Sequence, residues 1–242
     1  MNDNSHITDL ILLPVLACIW ILYDPALSSG FFLDDYPNLF HLADIRQDGF
    51  SYYIFSGVSS YLGRPLSLLS FAVQYENWPA NPYAFKSVNL FIHLFNGVLV
   101  FFVARYLANH LKFSRKEVAL ISYSVVLLWL LHPIQLSTTL YVVQRMTLLS
   151  TLFTLGGILF YFYCRPMFKT GLQLPRAVST GLVIWIFLLL AVLSKENGIL
   201  FPLYLLILET TILREERYSH AWKVWLCVIL ILPLLLDRKS VV

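Results

Sequence analysis

Residues 87–104 read SVNLFIHLFNGVLVFFVA, eighteen residues without one Asp, Glu, Lys or Arg. A helix needs about 20 mostly apolar residues to cross the hydrocarbon of a bilayer. The stretch is therefore typical of a membrane-spanning helix. The rest of the chain has the same character, since 58% of its 242 residues are hydrophobic and only 13% are charged, against about 25% in soluble domains. The composition predicts an all-α, polytopic membrane helical bundle.

Six further runs resemble this one in hydropathy. In chain order, the seven runs are 10–26, 87–104, 118–131, 136–163, 178–193, 198–213 and 222–236. The run 118–131 is short and needs interfacial residues to cross. We therefore predict seven transmembrane helices in a single module over residues 1–242, without a soluble domain.

Lys and Arg residues follow the second, fourth and sixth runs, and such residues concentrate on the cytoplasmic side of membrane proteins. The three clusters share one side only if 118–131 and 136–163 are separate spans that turn at His132-Pro133. The N-terminus is then cytoplasmic and the loop 30–86 lies outside, in a bacterial inner membrane or its equivalent. This bias accounts for most of the net charge of +3, which therefore gives no argument for a nucleic-acid partner.

The loop 30–86 is rich in Phe, Tyr and Leu, and long loops of this kind are often functional. Residues 37–45 place Leu39, Leu42 and Ile45 at helical spacing. A second stretch, 64–78, begins with Pro65 at a plausible first helical position. We expect interfacial or re-entrant helices here, with a plain membrane-lying connector as the alternative.

Asp34 and Asp35 open this loop as two adjacent carboxylates at the mouth of a span. One interpretation is a solvated turn, because Asp-Asp-Tyr-Pro-Asn is good turn chemistry. The other is a catalytic group, because neighbouring carboxylates separate their pKa values so that one acts as a base while the other orients a substrate or binds a cation. Both residues are candidate catalytic residues.

Polar residues also lie inside the predicted spans. Asn89, His93 and Asn96 share one helix face, where such side chains usually bond neighbouring helices. A substrate contact from His93 is the alternative. His93 together with the Asp pair is a weak pattern for a divalent metal, so a metal is an open possibility that the chemistry does not require.

Arg145 would lie about 12 Å deep if its helix begins near Ser137. An arginine at that depth requires an anionic partner, such as an acidic side chain or a lipid phosphate. A buried salt bridge to Glu196 or to the Asp pair is the alternative. His132 and Gln135, near the mouth of the same helix, are candidate additional donors.

Lys195 and Glu196 lie in the turn after the run 178–193, and Arg64 opens the second helix of the first loop. Topology brings these residues to the same face as the Asp pair. A solvated turn is the simple interpretation of Lys195-Glu196. The shared face favours instead a site that binds an anionic lipid headgroup.

Together these motifs resemble the GT-C superfamily of polytopic glycosyltransferases, most of all the tetratricopeptide-containing transmembrane O-mannosyltransferases and their bacterial relatives. The matching motifs are Asp34-Asp35, Gly63-Arg64-Pro65-Leu66, Asn89…His93…Asn96, His132-Pro133-Ile134-Gln135…Gln144-Arg145 and Ser194-Lys195-Glu196-Asn197. The resemblance implies a membrane enzyme that moves a sugar from a polyprenyl-phosphate donor to an acceptor hydroxyl of a protein or glycan.

The resemblance also implies roles for individual residues. Asp34 and Asp35 become the catalytic residues, and Arg145 and Lys195 become phosphate contacts. The expected substrate-binding residues are Arg64, His93, His132, Gln135, Arg145, Lys195 and Glu196. Family members usually continue with further spans and a repeat domain, so we expect this chain to be the front part of a longer protein. A lipid or solute transporter, or a non-catalytic fragment, is the alternative function.

Overall fold

The computed structural model describes residues 11–55, 63–168 and 173–214, which form helices and no strands. The α-helices are, in chain order, α1 (Leu12–Leu27), α2 (Asp35–Leu39), α3 (Ile45–Phe55), α4 (Pro65–Ala72), α5 (Pro82–His110), α6 (Arg115–Leu131), α7 (Ile134–Leu140), α8 (Arg145–Cys164), α9 (Leu174–Ser194) and α10 (Phe201–Thr210). Short 3-10 helices lie at Phe40–Asp44, Tyr75–Asn77, Val142–Gln144, Arg165–Phe168 and Glu196–Leu200. The all-α prediction is confirmed for the described residues.

Within the described residues, three segments are long and apolar enough to cross a membrane, namely Pro82–His110, Val142–Phe168 and Leu174–Ser194. Helices α6 and α7 meet at 63° and add a fourth candidate if the bent pair is one span. Helix α1 is apolar but only 16 residues long. The described residues thus have the helices expected of a membrane protein, but the count of seven spans is not confirmed, and the run 222–236 lies outside them.

The run 136–163, expected as one helix, contains two. Helix α7 ends at Leu140, one extended residue and a 3-10 turn follow, and α8 begins only at Arg145. The prediction of a continuous helix from near Ser137 is therefore wrong.

The break has a local cause and a tertiary one. Tyr141, Val142 and Val143 are aromatic and β-branched residues in succession, which form helices poorly. The Asn89 amide donates to three backbone carbonyls at 139, 141 and 142, and the Asp35 carboxylate accepts from the Val143 N–H. These side chains satisfy the backbone groups that the break frees, as a membrane protein requires.

The run 198–213 is also divided, into the 3-10 helix Glu196–Leu200 and helix α10. Pro202 lies in the first turn of α10, where its missing N–H costs nothing and its fixed φ favours helix initiation. Ten residues of helix extend only about 15 Å, so α10 alone is shorter than a span.

Helix α5 is the centre of the bundle and packs against α1, α6 and α8, while α8 packs against α9. Its start is fixed by Asn81, whose side chain accepts a hydrogen bond from the Ala84 N–H, and by Pro82 in the first turn. Helix α6 starts with a capping box formed by Ser114 and Glu117.

The first loop has a hydrophobic core of its own. Leu39, Leu42 and Ile45 are buried as their spacing predicts, and they pack in a cluster with Phe71 of α4 and Val142 of the broken span. The helices predicted near residues 37–45 and after Arg64 are confirmed as α2 with its 3-10 extension and as α4. The loop is thus a packed layer on one end of the bundle.

Candidate functional site

The adjacent carboxylates of the acidic turn, Asp34 and Asp35, have different environments. Asp35 is fully buried, and its two oxygens accept hydrogen bonds from the N–H groups of Phe32 at 2.9 Å and Val143 at 2.8 Å. Asp34 is exposed, and its described hydrogen bond is one that its backbone carbonyl accepts from the Asn38 side chain. Asp35 therefore holds the turn in place, and Asp34 is the carboxylate that a substrate can reach.

Lys86 of α5 fixes the chain just before the acidic turn. Its ammonium is buried and donates to the Ser29 carbonyl, the Ser29 hydroxyl and the Gly30 carbonyl at 2.6–2.9 Å. It also lies 4.5 Å from the centre of the Phe32 ring and attracts the Asp35 carboxylate. The sequence interpretation missed Lys86, although a lysine entering a span always needs partners.

The balance of forces on Asp35 raises its pKa. Burial, which disfavours the charged form, is the largest influence, and the N–H groups of Phe32 and Val143 and the charge of Lys86 oppose it. Hydrogen bonds thus hold the carboxyl group in place, while its buried environment disfavours the ionised form.

The second part of the site is the cation cluster, which consists of Arg64, Lys195 and Glu196. Arg64 Nε lies 3.0 and 3.2 Å from the two carboxylate oxygens of Glu196, and Nη1 lies 3.2 Å from the Met146 sulfur. The Arg64 side chain is 20% exposed and that of Glu196 is 41% exposed. The ion pair therefore faces solvent in part.

The backbone brings Arg64 to this position. Gly63 and Arg64 have φ of 69° and 52°, so the chain enters α4 through two left-handed residues, which for a residue with a side chain costs roughly 1 kcal/mol. The Ser67 hydroxyl then donates to the Ser194 carbonyl at 2.8 Å. This bond fixes the start of α4 against the end of α9, where Lys195 and Glu196 follow.

Lys195 is half-buried, and its ammonium donates to the Thr147 hydroxyl at 2.7 Å. That hydroxyl donates in turn to the Gln144 side-chain oxygen at 2.8 Å. Burial lowers the pKa of Lys195, and repulsion from Arg64 lowers it further, while Glu196 partly offsets both. A cation in this setting gains from a bound anion.

Gly198 lets the turn after Lys195 lie against α9. A Cβ added at this position would be 2.4 Å from the carbonyl carbon of Ala191, which is backbone and cannot move aside. The close approach therefore holds Lys195 and Glu196 at the end of the bundle.

The acidic turn and the cation cluster share one wall, the segment 143–147. Val143 binds Asp35, Met146 contacts Arg64, and Thr147 binds Lys195. Val143 and Thr147 are four residues apart, across the junction between the 3-10 helix Val142–Gln144 and α8. The broken span thus brings together two of the motifs that the sequence predicts to share a face.

Arg145 has neutral partners in place of the anion that its sequence position predicts. It is fully buried, with Nε donating to the Asn89 side chain and Nη1 and Nη2 donating to the carbonyls of Ser70 and Phe85, all at 2.8–2.9 Å. The Phe71 ring lies 4.7 Å away. The prediction of an anionic partner and the alternative prediction of a salt bridge are therefore both wrong. Carbonyl and amide oxygens satisfy this guanidinium at the first residue of α8.

His93 and Asn96 also contact neighbouring helices. His93 is buried, donates from Nε2 to the Leu130 carbonyl at 3.2 Å and stacks on Trp129 of α6. Asn96 donates to the Leu148 carbonyl of α8 at 2.9 Å. These contacts support the structural interpretation of the stripe, since they join neighbouring helices.

His132 and Gln135 lie at the bend between α6 and α7. His132 is exposed, and its Nδ1 accepts a hydrogen bond from the Ile134 N–H, so it caps the turn. Gln135 is half-buried in the first turn of α7. No hydrogen bond among the described residues joins either side chain to the acidic turn or to the cation cluster.

A metal site was the open possibility for the acidic residues. Within residues 11–55, 63–168 and 173–214, no three His, Cys, Asp or Glu side chains come together as ligands.

The chain matches no family model, no curated protein and no solved structure. The resemblance to the GT-C superfamily accordingly rests on the residues and motifs of this chain. The geometry attaches the acidic turn, with its exposed Asp34, and the partly exposed Arg64 and Lys195 to one segment, 143–147.

Proposed function

We propose that this chain is a GT-C-type membrane glycosyltransferase, which transfers a sugar from a polyprenyl-phosphate donor to an acceptor hydroxyl. The observation that carries the proposal is the common wall 143–147, with the acidic turn bound at one end and Lys195 at the other. A group that accepts a proton and groups that bind a phosphate are the two requirements of this reaction.

In the proposed reaction, Asp34 takes the proton of the acceptor hydroxyl, such as that of a protein Ser or Thr. The oxygen attacks the anomeric carbon of the sugar, and the bond from that carbon to the phosphate oxygen breaks. The electron pair of this bond stays on the polyprenyl phosphate. Asp34 is preferred over Asp35 because both oxygens of Asp35 already accept backbone hydrogen bonds.

Arg64 and Lys195 are the proposed phosphate contacts. Both retain some exposure, so a phosphate can reach them. Arg145 is assigned to the architecture in this scheme, because its three nitrogens bond to protein oxygens.

The same proposal includes the topology. Seven spans with a cytoplasmic N-terminus place the acidic turn and the cation cluster on the outer face, where a lipid-linked donor presents its headgroup. Cysteines placed singly at exposed Asp48 and at exposed Lys116 test this in cells with a membrane-impermeant thiol reagent, in a background where Cys18, Cys164 and Cys227 are Ser. Labelling at position 48 and protection at position 116 are expected, and the reverse would contradict the orientation.

The activity is tested with the full-length gene product in lipid nanodiscs, using donors from a lipid extract and Ser/Thr peptides. We expect Asp34→Asn to abolish sugar transfer while the protein remains folded. Asp48→Asn is the matched control, because it removes an exposed carboxylate from the same loop. Undiminished transfer in Asp34→Asn and Asp35→Asn alike would refute the assignment of the acidic turn.

The rival function has its own signature in the same preparation. A transporter would move labelled polyprenyl phosphate between leaflets of proteoliposomes without forming a covalent product. Lipid movement that survives Asp34→Asn, in the absence of any transferred sugar, would replace the proposed transferase with a flippase.

A further inference from the structure

The described charged groups of the cation cluster do not balance one another. Arg64 and Lys195 each carry one positive charge, and Glu196 supplies one negative charge, so the described charged groups of the cluster sum to one positive charge. Glu196 is paired with Arg64, whereas the hydrogen bond of Lys195 goes to the neutral hydroxyl of Thr147. Among the described residues, the cluster therefore has one more positive charge than negative charge, and the Lys195 ammonium donates to a neutral partner.

Arg64 has a donor that a ligand can take over. Its Nη1 points at the sulfur of Met146, which is a weak acceptor compared with a phosphate oxygen. Nε remains with Glu196, so a phosphate bound between Nη1 and Lys195 would lie beside the Glu196 carboxylate. Burial and repulsion from Arg64 lower the pKa of Lys195, so a bound anion would stabilise its charged form.

We propose that Glu196 is a specificity-determining residue, which makes the cluster favour a singly charged phosphodiester over a doubly charged phosphate monoester. This inference rests on the proposed function, since it assigns the donor and the product of that reaction different affinities. A phosphodiester carries one negative charge and balances the cluster. A monoester carries about 1.5 to 2 negative charges at neutral pH, and its excess charge is repelled by Glu196.

The consequence for turnover follows from the charges. The polyprenyl-phosphate sugar is a phosphodiester, and the polyprenyl phosphate that leaves is a monoester. Glu196 thus favours donor binding relative to product binding and promotes release of the product. The cluster without Glu196 would carry two positive charges and would match the product instead.

The test uses two ligands with the same tail, geranyl phosphate and its methyl diester, and measures their dissociation constants with the full chain in nanodiscs of neutral lipid. The wild type is expected to prefer the diester. Glu196→Gln is expected to shift the ratio of the two constants toward the monoester by about tenfold, the size of one charge interaction reduced by solvent screening. Glu76→Gln is the matched control, because Glu76 pairs with Arg46 at 3.8 Å and both side chains are largely exposed.

Lys195→Gln supplies a second variant with the opposite sign. It leaves the cluster neutral and should shift the ratio further toward the diester. An unchanged ratio in folded Glu196→Gln and Lys195→Gln would overturn the proposal, and so would an equal loss of both ligands in Glu196→Gln, which would mean that Glu196 only holds Arg64 in place. A shifted ratio in a protein that transfers no sugar would support the charge selection and refute the transferase.

Discussion

Four cations near one end of the bundle form two contrasting pairs. Arg145 and Lys86 are completely buried, and their six described hydrogen bonds go to neutral carbonyl, amide and hydroxyl oxygens. Arg64 and Lys195 are only partly buried, and they share one carboxylate between them. Among the described residues, neutral acceptors satisfy the first pair, whereas the second pair has one more positive charge than its carboxylate balances.

The contrast separates two uses of positive charge in a membrane protein. A buried cation with a full set of neutral acceptors joins helices, and a bound anion would have to displace those acceptors. A half-exposed cation with a charge deficit can bind an anion without such a cost. Removing a buried cation should therefore reduce stability more than ligand binding. Removing a half-exposed cation should reduce ligand binding more than stability.

The largest loss of stability is expected for Arg145→Met. The change leaves three buried acceptors without a donor, at about 1–3 kcal/mol each, and should prevent recovery of a monodisperse protein or lower its unfolding temperature in detergent sharply. Arg115→Met is the matched control, since Arg115 also opens a long helix but is exposed. A stable, monodisperse Arg145→Met protein would contradict the structural role of Arg145 and would group it with the ligand-binding cations.

Lys86→Met should have the next largest effect, roughly 2 kcal/mol, because it frees two carbonyls and leaves Asp35 without its cation. Combining it with Asp35→Asn removes both charges of the pair, so the double variant should be more stable than the sum of the two single losses predicts. Thermal unfolding in detergent measures the cycle, with exposed Lys116→Met as the control. Simple additivity would show that Lys86 and Asp35 are not coupled.

Arg64→Gln should cost little stability, about 1 kcal/mol or less, since its ion pair is partly exposed. Sugar transfer should fall sharply all the same, because a proposed phosphate contact is lost. Transfer assays and unfolding temperatures on one preparation separate the two effects. If Arg64→Gln instead unfolds as readily as Arg145→Met, the division into two pairs fails.

The smallest effect is a dependence of stability on pH from Asp35. Its pKa is raised in the folded protein, so the folded state keeps this proton to a higher pH than the unfolded chain, whose Asp titrates near 3.8. Its contribution is fully present below that pH and is lost as pH rises through the folded pKa. We expect the unfolding temperature of the wild type, relative to Asp35→Asn, to fall as pH rises from the unfolded Asp pKa through the raised pKa of the folded protein. A rise would mean that the bonds to Asp35 outweigh its burial.

The packing of the first loop could be predicted from the sequence, because the local spacing of apolar residues determines it. Leu39, Leu42 and Ile45 recur at helical intervals and are buried together, and Pro65 marks the start of a helix. It also predicts that Asn89 bonds to a neighbouring helix, as polar residues in spans usually do.

The partners across the bundle could not be predicted in the same way. Hydropathy presents 136–163 as one run, because Tyr141, Val142 and Val143 are as apolar in a break as in a helix. The break depends on Asn89 and Asp35, which lie far away in the chain. The depth argument for Arg145 failed with it, since an arginine can be satisfied by carbonyls that only the tertiary fold supplies.

Gly198 has a consequence for how this region can vary. Any side chain there would meet the Ala191 backbone, so the position should reject nearly all alternatives when every residue of the chain is mutated in turn and selected for function. Asn197, exposed directly beside it, should accept many. A sharp change in mutational tolerance between two adjacent positions would mark the point at which the placement of the charged turn, rather than its chemistry, is under selection.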